Sequence, residues 1–151
     1  MKHFFFRLFN AIVPAQEVFA HCDIPCGIYT AEPALTAAKT VVRMTELIQQ
    51  LEPPSFASFN VEEAKNKINS LVRYIAVKEQ HAQKCKEELL ILWTDYFKPE
   101  HLETFPQLHE TFWKAAKLCS KAKQEVSMDV AKELQKAVEE IADVFEKSHK
   151  H

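Results

Sequence analysis

The sequence predicts an all-α protein built as a four-helix bundle, and three observations carry that prediction. Glycine occurs once in 151 residues, while the strong helix formers Ala, Leu, Glu and Lys recur throughout. Apolar residues return at intervals of three and four over long stretches, the period of one helix face. No stretch alternates apolar and polar residues as a half-buried strand would. A chain of this length forms one domain with a sizeable core, and 47% hydrophobic with 26% charged residues is the balance of a globular protein. The formal net charge is −2. Lys and Glu interleave without a basic stripe, which argues against nucleic acid as a partner.

The first helix is expected over residues 30–51. Pro33 is tolerated in its first turn, and Pro53 and Pro54 end it. Its apolar face is Leu35, Ala38, Val41, Val42, Ile48 and Leu51. The second opens at Asn60, with Glu63 three residues on as in a capping box. Ala64, Ile68, Leu71, Ile75, Ala82, Cys85, Leu89 and Leu92 then alternate by three and four. Only Lys78 interrupts that alternation, and nothing breaks the helix before Pro99. The third begins near Pro106 and presents Leu108, Phe112, Ala116 and Cys119. The fourth starts at residues 127–129 and presents Val130, Leu134, Ala137, Ile141 and Phe145. Cys85 and Cys119, inside helical segments, read as small buried hydrophobes.

The first twenty residues, MKHFFFRLFNAIVPAQEVFA, have a basic start, apolar stretches and small residues near residue 20, as a secretion signal has. Arg7 interrupts the apolar run, however, and Glu17 lies beside the supposed cut. The segment is too short to cross a membrane. A removable leader of another kind, residues 1–20, fits better and leaves a domain of residues 21–151.

That domain would begin HCDIPCGIY. Pro25 and Gly27 impose a tight, non-helical course on Cys22 and Cys26, so two thiolates can face one point with the His21 imidazole beside them. Taken alone, the stretch fits a metal site, a local disulfide or two unrelated thiols. A structural zinc site wants a fourth side-chain ligand, yet His101 and His109 stand singly and His149 and His151 lie at the chain's end. Cleavage before His21 would supply a different donor, an α-amine with a pKa of roughly 7.7–8 that yields its proton readily to a competing metal. That amine, a deprotonated Cys22 backbone nitrogen and two thiolates make a planar N2S2 set, which selects Ni(II) or Cu(II) over Zn(II).

The stretch resembles the nickel-binding hook of nickel-containing superoxide dismutases, whose mature N-terminus reads H-C-D-x-P-C-G-x-Y. Every fixed position is present: His21, Cys22, Asp23, Pro25, Cys26, Gly27 and Tyr29. LWTDYFKPEH, residues 92–101, is similar to that family's second signature. The resemblance covers residues 21–151 and implies a four-helix bundle with an N-terminal metal-binding hook. It implies removal of the leader by a processing protease and a nickel ion as cofactor. The ion would be held by the His21 amine, the Cys22 backbone nitrogen and the sulfurs of Cys22 and Cys26, with the His21 imidazole bound only in the oxidised state. It further implies dismutation of superoxide to oxygen and hydrogen peroxide by a Ni(II)/Ni(III) cycle, in a cytoplasmic homohexamer. Anionic thiolates and an amidate make such a cycle chemically reasonable by stabilising the higher state. On the same resemblance, Asp23, Pro25 and Tyr29 would restrict access. Tyr29 and Tyr96 would order water or peroxide, and Lys98 would attract the anion.

The match departs from the family at two places. Some members carry a Glu on the first helix that hydrogen-bonds the axial imidazole and an Arg on the second that supports it. Ala37 and His81 stand at the equivalent positions here, which changes the support of His21 without removing a ligand. Two other functions are compatible with the hook: a nickel or copper carrier without turnover, and a secreted helical interaction protein with a Cys22–Cys26 disulfide.

Overall fold

The computed structural model describes residues 27–52 and 60–148. The leader, the hook residues His21, Cys22, Asp23 and Cys26, the Pro53–Pro54 terminator and His149 and His151 lie outside the described residues. Every regular element among the described residues is helical: α1 (Glu32–Gln50), α2 (Val61–Ile91), α3 (His101–Thr104), α4 (Leu108–Gln124) and α5 (Met128–Ser148). α2 continues into a π-helical turn at Leu92–Tyr96. The four long helices pack in a ring, α1 on α2, α2 on α4, α4 on α5 and α5 back on α1. This is the expected bundle, with the single-turn α3 added between Pro99 and Pro106.

α1 starts two residues later than its sequence pattern indicates, because the Thr30 hydroxyl oxygen accepts the Glu32 N–H at 3.2 Å and holds the chain just outside the helix. Its buried face is Ala34, Ala37, Ala38, Val41 and Thr45, rotated from the expected one. Small residues occupy the line of closest approach, and the larger Leu35 and Val42 pack from its edges. Thr45 is tolerated there because its hydroxyl donates to the Val41 carbonyl at 2.8 Å.

α2 opens as expected, with Asn60 Oδ1 accepting from the N–H groups of Glu62 (2.9 Å) and Glu63 (3.3 Å). The Glu63 carboxylate pairs with Lys67. Ala64, Ala82, Cys85 and Leu89 are buried, but Ile68, expected on the same stripe, is 58% exposed. Helix length explains the difference. α2 has 31 residues and α4 has 17, so α2 is about 46 Å long and α4 about 26 Å. The two run antiparallel, with Trp93 beside His109, Lys86 bonded to Ser120 and Lys123 to Gln83. α4 therefore ends alongside Lys78, and the first half of α2 extends past it.

Lys78, the interruption in the apolar pattern, is only 1% exposed. Its ammonium donates to the carbonyl oxygens of Ala122, Lys123 (3.0 Å) and Glu125 (2.9 Å). The last carbonyls of a helix have no partner within it and form the negative end of its dipole, and three ammonium donors meet three of them here. Burial pushes the Lys78 ammonium below the ordinary lysine value, with Glu79 opposing in part.

Cys85 of α2 and Cys119 of α4 are fully buried free thiols. The Cys119 thiol, together with burial, pushes the neighbouring Cys85 thiol up. On α4 the buried positions are Leu108, Phe112, Ala115, Cys119 and Ala122, so Ala115 takes the place expected of Ala116. On α5, Val138 goes inward and Ala137 packs at the edge.

Two outcomes are expected. Lys78→Met should lower stability by about 1–3 kcal/mol in denaturant titration, since it leaves buried carbonyls without donors. Cys85 and Cys119 should resist a water-soluble alkylating reagent in the native protein and react fully once it is denatured, as peptide mapping would show.

Candidate metal centre

The described chain enters at Gly27, the residue after Cys26, and the backbone there explains the sole glycine. Its φ is +81°, in the left-handed region that costs a residue with a Cβ roughly 1–2 kcal/mol. A Cβ at this position would meet nothing within 4 Å, so the requirement comes from conformation and not from space. Gly27 turns the chain, Ile28 stays exposed, and Tyr29 comes down half-buried on the end of the bundle.

Tyr29 meets Tyr96 edge to face, with ring centroids 5.7 Å apart. The two tyrosines singled out in the sequence, 67 positions apart, are thus one contact, three residues from Cys26. The π-helical turn places Tyr96. The Phe97 N–H reaches back five residues to the Leu92 carbonyl at 3.1 Å, and this wider turn presents Trp93, Tyr96 and Phe97 to neighbours on different elements. π-turns of this kind recur at functional sites.

Tyr96 is packed on several sides. Its ring lies 4.9 Å from Phe97, 4.6 Å from Phe145 of α5 and 5.8 Å from His101, which it stacks nearly parallel. Its hydroxyl is 2.7 Å from Ser148 Oγ at the end of α5. His101 is held in turn, with Nδ1 accepting the Lys98 N–H at 2.9 Å. Trp93 stacks on Phe112 at 5.8 Å and donates its indole N–H to His109 Nδ1 at 2.8 Å. The two solitary histidines therefore serve as hydrogen-bond acceptors in an aromatic cluster. Among the described residues no group of three His, Cys, Asp or Glu side chains is placed to hold a metal ion. The other two cysteines, Cys22 and Cys26, precede Gly27 in the sequence.

The sequence model of the nickel-containing superoxide dismutases matches residues 16–149, a span that includes the hook and all four long helices. The chain belongs to this family. It is 36% identical to the proteins named Superoxide dismutase [Ni] from Streptomyces seoulensis and Streptomyces coelicolor, in each case over 91% of this chain and 90% of the relative. Its fold is similar to the native nickel superoxide dismutase structure, with a TM-score of 0.72 and 28% identity, covering 87% of this chain and all of the other. A nickel-containing superoxide dismutase with its ligation in the oxidised state gives a TM-score of 0.71 at 30% identity over the same shares.

Ala37, expected to stand where some family members carry a Glu, is 1% exposed and part of the core. His81 is half-buried, and its Nδ1 is buried with no hydrogen-bond partner among the described residues. Lys98 is exposed. Sequence reasoning missed Phe97, His101 and Ser148 as neighbours of Tyr96. Phe145 was visible as a core position of the fourth helix, and Ser148 lies three residues on, one turn along the same face.

Gly27→Ala should reduce stability by roughly 1–2 kcal/mol through backbone strain alone, a loss that thermal unfolding can compare with Ile28→Ala, which should be nearly neutral.

Proposed function

We infer that this chain dismutes superoxide to oxygen and hydrogen peroxide with a nickel ion bound at residues 21–26. The ion would be held by the His21 α-amine, the Cys22 backbone nitrogen and the sulfurs of Cys22 and Cys26, and the His21 imidazole would add a further nitrogen donor. The observation that carries this reading is the complete hook, His21 to Tyr29, in a chain of the nickel-containing superoxide dismutase family. The donors fit the metal, since soft thiolates with nitrogen ligands suit nickel or copper better than calcium or magnesium. When bound, nickel supplies the one-electron exchange that lets one superoxide be oxidised and the next reduced.

The chain's own residues do the rest. His21 has an α-amine only if the peptide bond before it is cut, so residues 1–20 are a leader whose removal by a processing protease creates a ligand. Asp23, Pro25 and Tyr29 restrict access to the hook, which protects its thiolates from the peroxide formed beside them. Tyr29 and Tyr96, in edge contact at 5.7 Å, order water or peroxide at the inner side. The exposed Lys98, two residues from Tyr96, draws the superoxide anion toward this end. With Ala37 in place of a carboxylate, the half-buried His81, whose Nδ1 has no hydrogen-bond partner among the described residues, would support the His21 imidazole.

The protein works as a cytoplasmic homohexamer. The exposed apolar side chains of Val61, Ile68 and Val72 on the projecting half of α2 support burial against further copies. Two buried free thiols suit a reducing compartment. No helix among the described residues is long and apolar enough to cross a membrane.

The test is superoxide decay catalysed by the 21–151 form reconstituted with nickel. Fast decay is expected, lost in Cys22→Ser and absent from the uncut chain given the same nickel. Strong activity in the uncut chain would overturn the amine ligand, and stoichiometric nickel without decay would make the protein a carrier. Tyr96→Phe should lower kcat/KM roughly two- to tenfold, the worth of one hydrogen bond.

A further inference from the structure

The polarity of one hydrogen-bond chain at the end of the bundle assigns a role to Ser148. Ser148 is 8% exposed. Its Oγ lies 2.6 Å from the carbonyl oxygen of Phe145 and 2.7 Å from the Tyr96 hydroxyl. A carbonyl can only accept, and a serine hydroxyl has one proton to give. That proton goes to Phe145. The short contact with Tyr96 then needs its proton from the phenol, so Tyr96 donates and Ser148 accepts.

We propose that Ser148 is a positioning residue for the dismutase reaction: it takes the Tyr96 proton and so fixes the phenol oxygen as a hydrogen-bond acceptor toward the site. The proposal rests on the placement of Tyr96 beside the hook put forward above. Its consequence is a division of labour. With its proton committed to Ser148, Tyr96 cannot serve as proton donor to superoxide without breaking a bond inside the bundle. It instead receives hydrogen bonds from molecules that carry protons, namely water and the hydrogen peroxide product. Tyr96 therefore orders the proton-bearing species, and the protons of the reaction enter from water.

The surroundings keep this polarity fixed. Phe97, Phe145 and His101 pack around the Tyr96 ring, which limits its rotation. Ser148 ends α5, and its bond to the carbonyl three residues back satisfies one of the acceptors a helix end leaves open. A threonine could make both bonds, and an alanine neither.

The state of the phenol can be read without metal. In ultraviolet resonance Raman spectra the tyrosine Fermi doublet changes its intensity ratio according to whether the phenol donates or accepts. The chain has three tyrosines, so the difference between the full-length protein and Tyr96→Phe isolates this one. A donor-type ratio is expected, shifting toward the acceptor type in Ser148→Ala and returning in Ser148→Thr. Turnover of the nickel-loaded, processed Ser148→Ala should fall roughly two- to tenfold and recover in Ser148→Thr. A non-donor ratio in the unmutated protein, or a ratio that Ser148→Ala leaves in place, would overturn the assignment of Ser148. A shifted ratio with turnover unchanged in both Ser148→Ala and Tyr96→Phe would overturn the role of Tyr96 on which the proposal rests.

Discussion

The Lys78 ammonium, seated in the carbonyls that end α4, sets the register on which the rest of the bundle depends. Taking a cation out of water is costly unless its donors are fully matched, and here Ala122, Lys123 and Glu125 each supply an acceptor. The match fixes how far α4 slides along α2. From that anchor the pairs follow in antiparallel order: Cys85 against Cys119, Lys86 at Ser120, and Trp93 over His109 and Phe112. A leucine at position 78 would continue the apolar stripe but leave the carbonyls unpartnered and the register free to slip. The aromatic end of the bundle, around Trp93 and Tyr96, is thus positioned by a polar contact at the other end of α4.

How much of this was legible in the sequence depended on whether the determining contact was local. The three-and-four spacing of Ala82, Cys85, Leu89 and Leu92 identified the inner face of α2 because periodicity is a local property. Lys78 was visible as an interruption, but its explanation lies 44 residues away. Ile68 was misplaced for a related reason: it obeys the period, yet α4 has already ended where it stands. On α1 the apolar ranking favoured Leu35 and Val42, whereas the buried face is set by the smaller Ala34, Ala37 and Thr45. The family was the most legible part, since the residues that carry the resemblance are nearly consecutive and need no tertiary structure to be recognised. Ser148 was the least legible, a serine in a helix with nothing nearby to announce the phenol it meets.

The arrangement separates two tasks that enzymes usually combine. In the proposed function the reactive donors belong to the short stretch of sequence ahead of Gly27, and the helices supply an aromatic platform around Tyr96. Tyr29 belongs to the hook by sequence and to the platform by packing, so it couples the two. The aromatic cluster brings area and shape with few titrating groups. It can hold the inner side of a redox site without adding charge that would disturb it.

The π-helical turn at Leu92–Tyr96 also bears on how a chain of this kind can change length. That turn holds one residue more than an α-helical turn, whereas removing one residue from the regular helix between Lys78 and Leu92 would swing everything beyond it by about 100°, taking Tyr96 away from Tyr29 and Phe145 together. The first half of α2 is free of the register set by α4, because the helix there extends past the end of α4. Whole turns can be gained or lost between Asn60 and Lys78 while the spacing from Lys78 to Tyr96 stays untouched. Lineages descended from such a protein would be expected to drift in length along the first stretch and to keep the second at a constant count.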